Sequence, residues 1–147
     1  MSDANVENLR LILAMYSPTQ TIQALVEAWR QGEVNPAVLD LLDPEVTYED
    51  YELPDHVGEV YNGPLGVLEA MESWSEAYEE MTNELQRIVG SGDCLVAIHR
   101  FRARARRTGI EFDQPSAYVY TFRDGKIIRV QGFWDPAEAL AAAGLEE

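Results

Sequence analysis

The clearest alternation of apolar and polar residues lies between Cys94 and Arg107 and predicts a β-strand. Side chains along a strand point to opposite faces in turn. One face is apolar except for a histidine, and it comprises Leu95, Ala97, His99, Phe101, Ala103 and Ala105. The other comprises Val96, Ile98, Arg100, Arg102, Arg104 and Arg106. Unpaired arginines cannot be buried against helices, so we expect the face with His99 to point into the core.

Two more strands are predicted at 114–122 and 126–134, joined at Asp124-Gly125. A two-residue loop would place Tyr120 opposite Arg129, whereas a three-residue loop with Gly125 in the left-handed region places Tyr120 opposite Ile128. We favour the three-residue loop because it makes the inner face apolar. That face would comprise Ser116, Tyr118, Tyr120, Ile128, Val130, Gly132 and Trp134.

Apolar residues at helical spacing predict helices at about 3–16, 19–31, 36–42 and from Pro64 to about Met81. The inner stripe of the long helix is expected to comprise Leu65, Leu68, Met71, Trp74, Ala77, Tyr78 and Met81. A last helix has Asp135 as N-cap, Pro136 at its first position and Gly144 as terminator. Strands are predicted at 46–51 and 82–89, and a loop containing one short strand at 53–63.

The order of these elements predicts an α+β fold, with helices segregated on one face of a strongly bent antiparallel β-sheet. The sheet is packed against N-terminal helices and one long helix, and a short helix ends the chain. A chain of 147 residues is long enough for one substantial core and too short for two ordinary ones. We therefore expect residues 1–147 to form a single domain.

The formal net charge of −15 argues against nucleic acid or an anionic membrane as partner. The arginine face of the Cys94–Arg107 strand is the exception, and we expect it to pair with carboxylates across the sheet or at a subunit contact. Cys94 is the single cysteine, so no internal disulfide forms. The sequence shows neither a signal-peptide pattern nor an apolar run of bilayer length, which favours a cytoplasmic protein.

Four segments resemble those of the SnoaL-like branch of the nuclear transport factor 2-like superfamily. They are Leu42-Asp-Pro-Glu-Val46, Tyr61-Asn-Gly-Pro64, Phe122-Arg-Asp-Gly-Lys-Ile127 and Asp135-Pro-Ala-Glu-Ala139. The resemblance covers about residues 19–145 and marks residues 1–18 as an additional N-terminal helix. It implies a cone-shaped sheet with a cavity between sheet and helices. Enzymes of this superfamily use that cavity as an active site, and other members use it for binding or protein docking.

Resemblance to ketosteroid isomerases, which belong to this superfamily, places a general base at Asp50, because Thr47-Tyr-Glu-Asp50 matches the position of their base-bearing run. Their oxyanion tyrosine falls on Leu25, however, and their protonated aspartic acid falls on Tyr118. Tyr118 could still donate one hydrogen bond to a carbonyl oxygen. The isomerase pair of oxyanion donors is therefore absent from this chain.

The limonene-type epoxide hydrolases give a similar outcome. Tyr48 and Asp50 stand at their first two catalytic positions, His99 and Phe101 at the next two, and Gly132 at the last. The base of the SnoaL cyclase also falls close to Gly132. None of these known mechanisms therefore transfers directly to this chain.

A different polar set is expected inside the same cavity, namely Tyr48, Asp50, His99, Ser116, Tyr118 and Tyr120. Asp50 as general base could remove a proton next to a carbonyl, with Tyr48, His99 or Tyr118 donating hydrogen bonds. The alternative is that Asp50 only accepts hydrogen bonds and that His99 is structural or orients a ligand. His56 is expected on the surface, in the loop over the cavity mouth.

We expect a small hydrophobic, cyclic ligand in contact with Trp29, Met71, Trp74, Tyr78, Phe101, Ser116, Tyr120, Val130 and Trp134, although such aromatics are often plain core. No metal or other cofactor is expected, because two histidines and one cysteine give no metal-binding spacing. The protein is predicted to form a homodimer that pairs through the outer sheet face. Its predicted function is to bind the small molecule and to catalyse a cofactor-free isomerisation, cyclisation or dehydration. The alternatives are a non-catalytic binding module and a dimerising protein-interaction domain with a filled core.

Overall fold

The structure is a computed structural model that describes residues 4–14, 21–50 and 60–145, without the side chains of Ile22 and Asp50. His56 and the helix break expected at Ser17-Pro18 lie outside the described residues. In chain order the elements are α1 (Ala4–Leu13), α2 (Ile22–Arg30), α3 (Pro36–Leu39), β1 (Leu42–Asp50), β2 (Val60–Asn62), α4 (Gly63–Ala77), β3 (Tyr78–Ser91), β4 (Cys94–Ala105), β5 (Glu111–Arg123), β6 (Lys126–Phe133) and α5 (Pro136–Ala142).

The six strands form one sheet in the order β2-β1-β6-β5-β4-β3. Neighbours are antiparallel except β1 and β6, which run parallel, with Tyr48 beside Val130 and Asp50 beside Gly132. The predicted α+β fold with a bent sheet is confirmed. The parallel pair is the one departure from an antiparallel sheet, and it inserts the last strand between β1 and β5.

The predicted faces of β4 are confirmed. Leu95, Ala97, His99, Phe101 and Ala103 are all buried in the main core. The outer face is also covered at one end, where Val96 and Ile98 pack against Ala139 and Leu140 of α5. The expectation that all helices lie on one face is therefore wrong for α5. Its apolar residues need a partner, and the arginine-free end of β4 supplies one.

The predicted register between β5 and β6 is wrong. Asp124 and Gly125 form a two-residue turn with φ of 54° and 78°, so Arg123 pairs with Lys126. An irregularity then shifts the register between Thr121 and Phe122 and brings Tyr120 opposite Val130 and Tyr118 opposite Gly132. Such a bulge adds one residue to a strand, which lets a tight turn coexist with an apolar inner face. Ile127 fills the core in place of the expected Ile128.

The long helix ends earlier than predicted, because α4 stops at Ala77 and β3 begins at Tyr78. The backbone of Tyr78 is extended, and its carbonyl accepts a hydrogen bond from Nε2 of Gln23 at 2.6 Å. Glu80 has φ of 54°, and the β3–β4 register shifts between Glu79 and Thr82. Tyr78 and Met81 therefore belong to a bulged strand. Leu65, the first residue of the expected stripe, is 71% exposed.

The arginines on the outer face of β4 pair with carboxylates across the sheet, which is the first of the two arrangements that the sequence predicted. Arg104 lies 3.3 Å from Glu79 and 3.1 Å from Glu80. The remaining pairs are Arg100–Asp113, Arg102–Glu84, Arg102–Asp113, Arg104–Glu111 and Arg106–Glu79. The hydrogen bond from Arg100 is the main reason that the pKa of Asp113 lies below its usual value.

Helices α1, α2 and α4 cover the inner face of the sheet. Leu9, Ile12 and Leu13 of α1 are buried to 0%, 5% and 2% relative exposure. Burial of each such side chain stabilises the fold by roughly 2 kcal/mol, so α1 contributes to the main core. No helix within the described residues is long and apolar enough to span a membrane.

Candidate functional site

Three buried polar side chains lie together on the inner face of the sheet: Asn83 on β3, His99 on β4 and Ser116 on β5. The hydroxyl of Ser116 donates to Oδ1 of Asn83 at 3.0 Å. Nδ2 of Asn83 donates to the hydroxyl of Tyr118 at 3.4 Å. The main-chain carbonyl of Asn83 lies 3.2 Å from Nδ1 of His99. Asn83 therefore fixes the positions of three other polar groups.

His99 is neutral at physiological pH. Its burial lowers its pKa to about 4, and the hydrogen bond to the Asn83 carbonyl only partly opposes that effect. Because a carbonyl oxygen can only accept, Nδ1 of His99 carries the proton of the neutral ring. Nε2 then presents a lone pair. Toward a ligand His99 is thus an acceptor, and the donor role expected from the sequence would require the other tautomer.

Tyr118 is held from three sides. Its hydroxyl accepts the hydrogen bond from Asn83, so the hydroxyl proton points toward a different acceptor. Its ring packs edge-on against His99 with centroids 5.5 Å apart and lies 6.5 Å from the ring of Tyr48. The absence of a side chain at Gly132 provides the space beside the ring. A phenol fixed in this way is suited to stabilise a developing negative charge.

Two small cavities lie on the inner side of the sheet. The first has a volume of about 30 Å³ and is lined by Tyr48, Met71, Trp74, Met81, Asn83, His99, Tyr118 and Tyr120. The second has a volume of about 40 Å³ and is lined by Ile12, Leu13, Trp29, Leu42, Tyr48, Val67, Tyr120, Ile127 and Val130. Each has room for a few water molecules. Among the described residues, Tyr48 and Tyr120 line both cavities.

The predicted ligand-contacting residues are divided among several positions. Met71, Trp74 and Tyr120 line the first cavity, and Trp29, Val130 and again Tyr120 line the second. Ser116 lines neither cavity and is hydrogen-bonded to Asn83. Tyr78, Phe101 and Trp134 form an aromatic cluster with Trp74 in which ring centroids are 4.7–5.8 Å apart, and they line neither cavity. Their packing supports the wall that presents Trp74.

Asp50, the predicted base, ends β1 with its Cα paired to that of Gly132. Its side chain lies outside the described residues, as do residues 51–59, which include His56. Tyr48 precedes Asp50 by two positions on the same strand and is buried against both cavities. The backbone of Asp50 thus lies beside the strand that carries Gly132 and one strand further from Tyr118.

Asn83 is the polar wall residue that the sequence analysis missed, and Met81 was expected inside but on a helix rather than on β3. The long helix was predicted to continue to Met81, so the first residues of β3 were assigned to that helix. Once β3 is known to begin at Tyr78, Met81, Asn83 and Leu85 alternate along it, and Asn83 is the polar residue on an otherwise apolar face. Among residues 4–14, 21–50 and 60–145, no three His, Cys, Asp or Glu side chains are grouped so that they could hold a metal ion.

Comparison with known proteins agrees with this fold. A family model for the SnoaL-like domain matches residues 22–130, and the chain belongs to that family. No curated protein matches the sequence. The family includes polyketide cyclases and isomerases.

Solved structures extend the likeness to nearly the whole chain. A nuclear transport factor 2-like protein from Burkholderia thailandensis E264 is 19% identical, with 99% of this chain and 98% of that chain covered and a TM-score of 0.68. A protein from Jannaschia sp. CCS1 with a provisional name as a SnoaL-like polyketide cyclase is 15% identical, with 98% and 94% covered and a TM-score of 0.65.

A hypothetical protein from Catenulispora acidiphila DSM 44928, which has a ketosteroid isomerase-like fold and was solved in complex with trimethylamine, is 19% identical. The alignment covers 88% of this chain and 95% of that chain, with a TM-score of 0.58. At these identities the likeness establishes the fold alone. The chemistry of the site must be argued from the residues of this chain.

Proposed function

We propose that this protein binds a small hydrophobic molecule in the cavity beside His99 and catalyses a cofactor-free proton transfer on it. The observation that carries the proposal is the cluster of Asn83, His99, Ser116 and Tyr118. These four buried polar groups lie among apolar and aromatic walls, where they orient one another. Isomerisation, cyclisation and dehydration are the reaction types that such a site can serve.

In the proposed mechanism Asp50 is the general base. Alternation along β1 predicts that Asp50 shares a face with Tyr48, which is buried against both cavities. Its carboxylate would remove a proton next to a carbonyl group of the ligand, and the hydroxyl of Tyr118 or Tyr48 would donate to the enolate oxygen. Neutral His99 would accept a hydrogen bond from the ligand at Nε2.

A non-catalytic binding module is the second candidate. The apolar and aromatic side chains that make up most of the lining of both cavities support it, because such walls bind a hydrophobic molecule without requiring a base. A dimerising interaction domain with a filled core is the third. Its distinguishing property is that no small molecule enters.

Deuterium exchange separates these candidates. Cyclohexanone is incubated with the protein in D2O, and deuterium incorporation next to the carbonyl is followed by NMR. We expect protein-dependent exchange that Asp50→Asn reduces at least tenfold. Asp124→Asn is the matched control, because Asp124 lies in the β5–β6 turn and asparagine tolerates its positive φ.

Each result of this experiment has a clear meaning. Exchange that persists at the wild-type rate in Asp50→Asn removes Asp50 from the mechanism. Binding of cyclohexanone without protein-dependent exchange would contradict the enzymatic proposal and support the binding module. If cyclohexanone neither binds nor exchanges, the cavity proposal is overturned and the interaction domain becomes the better account.

We also propose a cytoplasmic homodimer paired through the outer face of the sheet. That face carries alternating arginines and carboxylates, which a second copy could complement. Sedimentation velocity at micromolar concentration tests it, with Arg102→Glu expected to shift the protein toward monomer. Arg30→Glu, an equivalent charge reversal on α2, should leave the dimer intact. A wild-type monomer would show the pairing to be wrong.

A further inference from the structure

The wall that the two cavities share is formed, among the described residues, by Tyr48 and Tyr120. Both line the cavity beside His99 and both line the cavity beside Trp29. They flank Val130 on neighbouring strands, since Tyr48 pairs with Val130 and Val130 pairs with Tyr120. Both tyrosines are buried, with relative exposures of 8% and 7%. Two aromatic side chains are therefore all that the structure shows to be common to both spaces.

The two cavities differ in chemistry. The first presents Asn83, His99 and Tyr118, which between them offer hydrogen-bond donors and an acceptor. The second is surrounded by aliphatic side chains and Trp29, with Ile12 and Leu13 supplied by α1. A hydrogen-bonding compartment thus lies next to an apolar one, and the same two tyrosines line both.

We propose that the two cavities are subsites for one uncharged amphipathic ligand, with Tyr48 and Tyr120 turned aside when it binds. The hydrogen-bonding head, a carbonyl or hydroxyl group, contacts Tyr118 and His99. The hydrocarbon end lies between α1, Trp29 and Val67. This inference rests on the proposed function, because it names the class of molecule that the same site accepts.

Volume supports a joined site. Cavities of about 30 and 40 Å³ each hold only a few waters, whereas pockets for organic ligands are several hundred Å³. Rotation of a tyrosine about its side-chain bonds moves it between discrete rotamers. Two such rotations would join the compartments and add the space that the rings now fill.

The charges of the described lining residues limit which head group the site can bind. None of the described residues that line the two cavities is an Asp, Glu, Lys or Arg, and His99 is neutral. An anionic head would lose its hydration without gaining a counter-charge from these residues, and it would be repelled by the carboxylate proposed for Asp50. A neutral oxygen can instead accept from the hydroxyl of Tyr118, or donate to Nε2 of His99 if it carries a proton.

The test compares two probes that share the same carbon skeleton, 4-phenyl-2-butanone and butylbenzene, and differ in the carbonyl oxygen. Binding is measured by titration, and methyl NMR signals of Ile12, Leu13 and Val67 report on the apolar compartment. We expect the ketone to bind at least tenfold more tightly than the hydrocarbon. Val67→Phe fills the apolar compartment and should weaken ketone binding at least tenfold. The control is Val60→Phe, the same change at a half-exposed position on β2.

Two further variants keep the test decisive. Tyr120→Ala removes part of the wall, so ketone binding should become tighter, and weaker binding would contradict the proposal. Leu13→Phe fills the same compartment from α1 and replaces Val67→Phe if that variant does not fold.

The outcomes separate this inference from the proposed function. If ketone binding and the exchange of cyclohexanone both survive Val67→Phe unchanged, the ligand occupies only the polar compartment. The two-subsite proposal is then wrong while the proposed function stands. Failure of both probes to bind overturns the two-subsite proposal in any case. The proposed function falls with it only if cyclohexanone also fails to bind and exchange.

Discussion

A Cβ atom on Gly132 would lie 3.1 Å from Cε1 of Tyr118, closer than an ordinary van der Waals contact. The ring of Tyr118 therefore occupies the space that a side chain at position 132 would need. The resemblance described above implies a catalytic acid near this position, where this chain has a glycine beside a tyrosine ring. A side chain at position 132 would therefore require the ring of Tyr118 to shift.

Gly132→Ala should consequently destabilise the fold by about 1 kcal/mol, because crowding of a packed core outweighs the small gain from a stiffer backbone. The free energy of unfolding from urea denaturation measures the change. In a Tyr118→Leu background the same substitution should cost less, which gives a coupling energy between the two positions. A stabilising Gly132→Ala in the wild-type background would contradict the crowding.

Loss of Asn83 should be among the most damaging single substitutions on the inner face. Asn83→Leu leaves the buried hydroxyls of Ser116 and Tyr118 without the partners described above, at a cost of about 2–4 kcal/mol. Adding Ser116→Ala removes the hydroxyl group of Ser116, which Asn83→Leu leaves without its partner. The double variant should therefore be more stable than Asn83→Leu alone in the same denaturation assay, and an additive further loss would argue against the hydrogen-bonded cluster.

The low pKa of His99 makes stability depend on pH in a defined window. Between its unfolded value near 6.5 and its folded value of about 4, the unfolded chain binds a proton that the folded chain does not. The contribution of His99 to the free energy of unfolding is therefore fully present above pH 6.5, and it is lost as the pH is lowered toward 4. The loss due to His99 should be roughly 3 kcal/mol.

Urea denaturation of wild type and His99→Gln at pH 7 and pH 4 isolates this contribution. Carboxylates such as Asp113 also lose stabilising interactions in acid, and their contribution is common to both proteins. The wild type should lose more stability than the variant over this interval. Equal losses would mean that His99 is not held neutral by burial.

The ion pairs on the outer face should contribute little to the stability of the single chain. Arg104→Met keeps the aliphatic stem and removes contacts with Glu79 and Glu80, and the side chain is 40% exposed. We expect a loss below about 1 kcal/mol at low salt that shrinks in 1 M salt. Arg107→Met in the following turn is the control. A larger loss that salt does not reduce would indicate that Arg104 acts through packing.

The elements that the sequence predicted best are those with one strong pattern. The strand from Cys94 was recognisable because four arginines mark its outer face, and α5 because Asp135 and Gly144 mark its ends. Asp135 indeed caps α5 by accepting from the amide of Ala137, and Gly144 has φ of 72°. Local chemistry determines such features, so a single sequence reveals them.

The errors arose where two structures share one pattern. Tyr78 and Met81 fit the stripe of a helix as well as the inner face of a bulged strand. Ile127 and Ile128 are equally apolar, and only the bulge beside Thr121 decides which is buried. Asn83 was missed because its role depends on Ser116, Tyr118 and His99, which are distant in sequence. Contacts between distant residues leave no periodic signal in a single chain.

The parallel pairing of β1 with β6 has a consequence for how the protein is made. Residues 42–50 find their sheet partner in residues 126–133, near the other end of the chain. During synthesis the pairing of β1 with β6 therefore cannot form until residues 126–133 have left the ribosome. Contacts so distant in sequence slow folding and leave strand edges exposed meanwhile. Premature termination before β6 would leave the β1–β2 pair and β5 without the strand that lies between them.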